Sequence, residues 1–117
     1  MKILIVGAGR IGCSVAESLV SEANDITVVD QDAERIGSLQ SRFDLRGVVG
    51  NATSPQVLTD AGAADTDMLI AVTSSDETNL VVTMLCARIF NIPTRIARVR
   101  NNRSEERRVG KECRSRW

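Results

Sequence analysis

The sequence predicts an α/β fold: a doubly wound parallel sheet of five strands in the order 3-2-1-4-5, with helices on both faces. Three observations predict it. Short apolar runs alternate with amphipathic helical stretches, joined by connections of a few residues, the pattern of a parallel sheet built from crossovers of one hand. The first run, Ile3-Leu4-Ile5-Val6, passes straight into Gly7-Ala8-Gly9-Arg10-Ile11-Gly12. An acid, Asp30, closes the second run.

Ile3 to Val6 is unbroken by any polar residue, as a strand covered on both faces requires. Gly7, Gly9 and Gly12 follow in G-x-G-x-x-G spacing. Gly7 permits the tight turn, Gly9 lets backbone approach a pyrophosphate, and Gly12 lets the first helix lie close on the strand. That helix offers its N-terminal N–H groups and partial positive charge to phosphates. The spacing is weak alone; here it follows a strand, opens a helix and is answered by Asp30, the context of a Rossmann-like site.

Ile11, Val15 and Leu19, with Ala16 alongside, give the first helix a core face that ends near Ser21 to Asn24. Ile26 to Asp30 is the second strand. Asp30 at its end can accept both hydroxyl protons of an adenosine ribose; the alternative is that Asp30 or Asp32 caps the next helix, and Asp32 is the better placed cap. The second helix spans about Ala33 to Arg42, with Ile36, Leu39 and Phe43 on one face. Leu45 to Val49 is the third strand, followed by the loop Gly50-Asn51-Ala52-Thr53. Ser54-Pro55 reads as N-cap and first turn of a short helix, whose apolar face is Val57, Leu58 and Ala61. Met68 to Val72 is the fourth strand. In the polar segment Thr73 to Asn79, Ser74 and Glu77 fit a capping box. A helix over Thr78 to Phe90, a turn at Pro93 and a strand over Arg95 to Val99 complete the pattern. Ligands in such sheets bind beyond the carboxyl ends of the strands, at the switch point between strands 1 and 4. Gly7 to Gly12, Asp30, Gly50 to Thr53 and Thr73 to Asn79 all fall there.

The chain of 117 residues is sized for one domain. Its net charge of zero speaks neither for nor against nucleic acid, but the charge is unevenly placed: residues 1–99 carry 8 Lys/Arg against 12 Asp/Glu, and residues 100–117 carry 7 against 3. Residues 101–117 have no apolar period. This basic tail reads as a flexible end or a cloning or read-through scar in preference to a nucleic-acid or membrane tail. Three cysteines, Cys13, Cys86 and Cys113, exclude a disulfide framework and fit a reducing cytosol. No signal peptide or membrane span is evident.

The chain has no His and no Tyr, and its lysines are Lys2 and Lys111. The acid–base partner that accompanies hydride transfer in a dehydrogenase is therefore restricted to carboxylates such as Asp76 and Glu77, which suit a helix start without catalysis, or to thiols, of which Cys13 reads as packed.

The segments Val6 to Gly12, Ile26 to Asp30 with Asp32, and Ala71-Val72-Thr73-Ser74-Ser75-Asp76-Glu77-Thr78-Asn79 together resemble the KTN, or RCK N-terminal, domain family, over Met1 to about Arg100. The glycine motif is common to many nucleotide folds, whereas Ala71 to Asn79 is much more specific. The resemblance implies a cytoplasmic, non-catalytic regulatory subunit, peripheral at the inner face of the cell membrane. It would bind NAD(H) or ATP/ADP, control a membrane potassium-transporter subunit and form a homo-oligomer, a dimer or a higher ring, with no nucleic-acid partner. The cofactor-binding residues expected are Gly7, Ala8, Gly9, Arg10, Ile11, Gly12, Asp30, Gln31, Asn51, Ala52, Thr73, Ser74, Asp76, Asn79 and Arg98, with no catalytic or metal residue. Arg10 and Arg98 are expected to sense phosphate charge, and Leu80 and Met84 to share a helix face at an interface or in the core. Asn51 stands where many relatives carry Asp. The chain is expected to stop before the family's sixth strand and C-terminal ligand-binding domain. Two other functions stay open: the cofactor half of an NAD-dependent dehydrogenase whose catalytic domain is missing, and a structural dimerisation domain with a degenerate site.

Overall fold

The computed structural model describes residues 1–20 and 23–99. The expected tail, 101–117, lies outside the described residues. Five parallel strands, β1 Lys2–Val6, β2 Asp25–Asp30, β3 Arg46–Val49, β4 Met68–Ala71 and β5 Thr94–Ala97, form one sheet in the order β3-β2-β1-β4-β5. The predicted order is the observed one. The register aligns the strand ends that carry the site: Val6 pairs with Val29 on one side and with Ala71 on the other.

Alternation along β1 divides the core between two faces. Ile3 and Ile5 pack with Ala16 of helix α1 (Arg10–Val20) and with Ile36 and Leu39 of helix α2 (Ala33–Arg42). Leu4 and Val6 pack on the opposite face with Leu58 of helix α3 (Pro55–Asp60) and with Val82 and Cys86 of helix α4 (Asp76–Arg88). Every strand residue from Ile3 to Val6 is buried, which explains the unbroken apolar run.

Several local expectations are corrected. The fully buried face of α1 is Gly12 and Ala16, while Ile11, Val15 and Leu19 flank it half-buried, because a residue without a side chain sits where the helix meets the glycine turn. The described part of α1 ends at Val20, and Ser21 and Glu22 lie outside the described residues. Helix α4 begins at Asp76, not Thr78, and ends at Arg88, not Phe90. Its N-cap is Ser75, whose hydroxyl accepts from the Thr78 amide, one residue beyond the expected Ser74. Ser54 precedes α3 at the N-cap position but makes no side-chain cap bond. Asp32 caps α2 as expected, accepting from the Glu34 and Arg35 amides. Asn91 takes a left-handed conformation, φ 55°, beyond α4, a conformation Asn tolerates better than most residues, and Pro93 follows before β5.

Candidate functional site

The three glycines of the turn do different work. Gly7 has φ 113°, a region L side chains rarely adopt, and its amide donates to the Val29 carbonyl at 2.8 Å. A Cβ there would stand 2.9 Å from the Thr73 amide nitrogen. A Cβ on Gly12 would collide with the Gly7 carbonyl. Both positions are closed by the protein's own backbone. Around Gly9 the nearest atom to an added Cβ is Arg35 Nη1 at 3.8 Å. Gly9 is thus open, as a backbone approached by a ligand must be.

In the turn region the first helical bond runs from the Cys13 amide to the Gly9 carbonyl at 2.9 Å. The preceding amides come before the helical ladder, and the first turn of α1 holds no acid to offset their partial charge. Cys13 Sγ donates to the Ala8 carbonyl at 3.4 Å, the packed role expected of it.

Asp30 stands across from this turn. Its Oδ2 accepts from the Ala8 amide at 2.7 Å and its Oδ1 from the Asp32 amide at 2.8 Å. The carboxylate therefore braces the glycine turn against the β2–α2 loop, a structural duty that the sequence did not reveal. On the neighbouring loop, the Gly50 amide donates to the Asp30 carbonyl at 2.9 Å. Asn51 Oδ1 accepts from the Thr53 amide at 3.0 Å and from its hydroxyl at 2.7 Å, closing an Asx turn.

The fourth wall follows β4. Asn79 is completely buried. Its Oδ1 accepts from the Thr73 amide at 2.9 Å and its Nδ2 donates to the carbonyls of Thr73 at 3.2 Å and Arg98 at 2.7 Å. Thr73 Oγ1 lies 2.7 Å from Asn79 Oδ1 and 3.1 Å from the Ser75 carbonyl, and accepts from the Ser75 amide at 3.2 Å. The Arg98 amide donates to the Ala71 carbonyl at 2.9 Å, carrying β-type pairing one residue past β5.

These loops surround a cavity of about 650 Å³, the size range of small-molecule sites. Of the expected residues, Gly7, Gly9, Arg10, Ile11, Asp30, Gln31, Asn51, Ala52, Thr73, Ser74 and Arg98 line it. Ala8, Gly12, Asp76 and Asn79 do not: Ala8 offers its amide to Asp30, Gly12 packs on Gly7, Asp76 opens α4, and Asn79 stands behind Thr73 as a strut. Val6, Val29, Arg35, Gly50, Val72, Ser75 and Thr78 complete the wall. Of these, Arg35 is a charged residue that sequence reasoning missed. Its signal was positional: it lies in the first turn of the helix that Asp32 caps, immediately beyond the acid-bearing strand. The lining residues include three arginines, Arg10, Arg35 and Arg98, and one carboxylate, Asp30. That balance suits a ligand with several negative charges and a neutral hydroxylated part. No described group of three or more His, Cys, Asp or Glu could hold a metal ion.

The sheet order, with the glycine turn at its switch point, defines a Rossmann-like domain. Residues 3–109 match the family described as the TrkA-N domain, and the chain belongs to that family. A relative named Trk system potassium uptake protein TrkA, from Haemophilus influenzae, is 55% identical over 102 residues, covering 87% of this chain and 22% of the relative. A protein of the same name from Vibrio alginolyticus is 52% identical over 101 residues, covering 86% of this chain and 22% of the relative. The chain thus spans about a fifth of the length of these relatives. Among solved structures, the GsuK RCK domain superposes with a TM-score of 0.68 at 30% identity, covering 80% of this chain and 20% of that one. The Shewanella denitrificans Kef CTD in its AMP-bound form shares the fold with a TM-score of 0.77 at 21% identity, covering 88% and 62%. No helix among the described residues is long and apolar enough to cross a membrane.

Proposed function

We propose that this chain is the nucleotide-binding domain of a cytoplasmic regulatory subunit that controls a membrane potassium transporter and has no catalysis of its own. The ligand is an adenosine nucleotide, NAD(H) or ATP/ADP, and the subunit works as a homo-oligomer at the inner face of the membrane. The observation that carries this reading is the open face of Gly9, set between the first turn of α1 and Asp30 at the mouth of the cavity. The ribose would meet Asp30, and the phosphates would lie over Gly9 toward the amides of α1. Asp30 is the one carboxylate of the lining, and both its oxygens accept backbone amides, which suits holding a ligand better than moving protons. The potassium-transport role rests on the relatives' name, and the AMP bound by the Kef neighbour is consistent with an adenosine ligand.

Calorimetric titration with NADH, NAD, ATP, ADP and NADP tests the ligand class. At least one of the first four should bind, and NADP, whose 2′-phosphate faces Asp30, should bind worst. Binding of none, or tightest binding of NADP, would defeat the reading. Transport is tested by placing residues 1–100 in the Haemophilus influenzae relative in exchange for its matching segment. The chimera should restore growth at low potassium in cells lacking their own Trk regulatory protein.

A further inference from the structure

We infer that Arg35 is a ligand-binding residue: the guanidinium that meets the nucleotide's first phosphates above Gly9, with Asp32 as the residue that aims it. The inference rests on the proposed nucleotide site and names a contact within it. Arg35 lies in the first turn of α2, on the β2 side of the cavity, and lines it. Two ends of its side chain are placed differently. Nε lies 3.6 Å from Asp32 Oδ2. Nη1 comes within 3.8 Å of where a Gly9 Cβ would stand, nearer than any atom beyond Gly9 and its chain neighbours. Asp32 is itself fixed, because its Oδ1 accepts from the Glu34 and Arg35 amides as the cap of α2. One carboxylate therefore caps the helix with one oxygen and orients the arginine with the other. The planar fork has Nε turned to Asp32 and Nη1 beside the open backbone of the glycine turn, where a guanidinium can meet a phosphate.

Position decides which phosphates Arg35 meets. Strand β2 neighbours β1, whereas Arg98 follows β5, beyond β4 on the far side of the crevice. A nucleotide with its ribose at Asp30 brings its first phosphates past Gly9, within reach of Arg35. Groups further along the ligand extend toward Thr73 and Arg98. Arg35 should thus bind the part shared by ADP and NADH, and it should not distinguish them. Both side chains are about half exposed, 57% for Arg35 and 46% for Asp32, so the pair itself is weak and leaves the fork free to engage an anion.

The test is a charge series at one position in the whole chain: Arg35→Lys, Arg35→Gln and Arg35→Glu, each titrated with ADP and with NADH, and each checked for an unchanged thermal midpoint. Affinity should follow charge, with Lys weaker than Arg, Gln roughly ten- to a hundredfold weaker and Glu weaker still, by the same factor for both ligands. Asp32→Asn keeps a capping oxygen and removes the charge that aims Arg35, so it should cost affinity in the Arg35 chain and nothing further in the Arg35→Gln chain. Equal affinity across the series, or a Gln variant as weak as the Glu variant, would overturn the inference and leave the nucleotide site standing. Failure of the unaltered chain to bind either ligand would overturn both.

Discussion

Asp30 Oδ2 lies 2.7 Å from the amide of Ala8, so the acid at the end of β2 is bonded to the turn that follows β1. The contact joins the carboxyl ends of the neighbouring strands β2 and β1 and makes the acid a brace for the turn. Asp30→Ala should therefore show two losses. Nucleotide affinity should fall by about 1–3 kcal/mol as a charge-assisted bond is removed. The thermal midpoint should fall too, because the amides of Ala8 and Asp32 lose their acceptor. Titration and thermal melting of the same protein measure both. A variant with full stability and lost affinity would show that the brace carries no weight.

The glycines predict a split between folding and binding. Gly9→Ala adds a methyl to open space and should leave the thermal midpoint nearly unchanged while weakening nucleotide binding. Gly12→Ala drives a methyl into the Gly7 carbonyl and should destabilise the fold by at least about 1–3 kcal/mol. Urea denaturation of the two variants side by side decides the matter. Equal destabilisation would remove the distinction drawn between open and closed positions.

Asn79→Ala should destabilise by at least about 2 kcal/mol. It leaves the Thr73 amide and the half-buried carbonyls of Thr73 and Arg98 without this partner and opens a void beneath the loop. Asn79→Asp should be no rescue, because a carboxylate would face the carbonyls of Thr73 and Arg98, which require a donor. Urea midpoints for both variants check this, and amide exchange at Thr73 reports the local loosening.

Burial pushes the Cys86 thiol up to about 11 from an ordinary 9.0, against a smaller opposing pull from Arg95. The unfolded thiol therefore loses its proton at lower pH than the folded one. Its contribution to stability is intact below pH 9 and falls as pH rises toward 11, by about 2 kcal/mol if no other group compensates. The chain has no tyrosine, two lysines and two other cysteines, so comparison with Cys86→Ala isolates the share of this thiol. The drop in urea midpoint between pH 8 and pH 10.5 should be smaller in Cys86→Ala than in the parent chain. An identical drop would show that Cys86 does not drive it.

The sheet and the position of its crevice were legible in the sequence because burial on both faces demands largely apolar inner strands, as in β1, β2 and β4, and their alternation with helices leaves few topologies. Asp30 and the glycines were legible because their spacing reports backbone geometry. Finer features were not. Ser74 and Ser75 are both competent caps, and only the path of the loop selects Ser75. Asn79 reads as one polar residue in a polar segment; one of its partners is the Arg98 carbonyl, nineteen residues away and just past β5. Arg35 reads as an ordinary exposed helix residue, since nothing local records that Gly9 lies opposite.

Asn79 also has a mechanical consequence. One rigid amide grips Thr73 on one side and the carbonyl at the end of the edge strand on the other. The loop past β4 cannot sag independently of that strand. A load placed on Thr73 is carried to the rim of the sheet as through a yoke, and removing that yoke would uncouple this wall of the crevice from the rim.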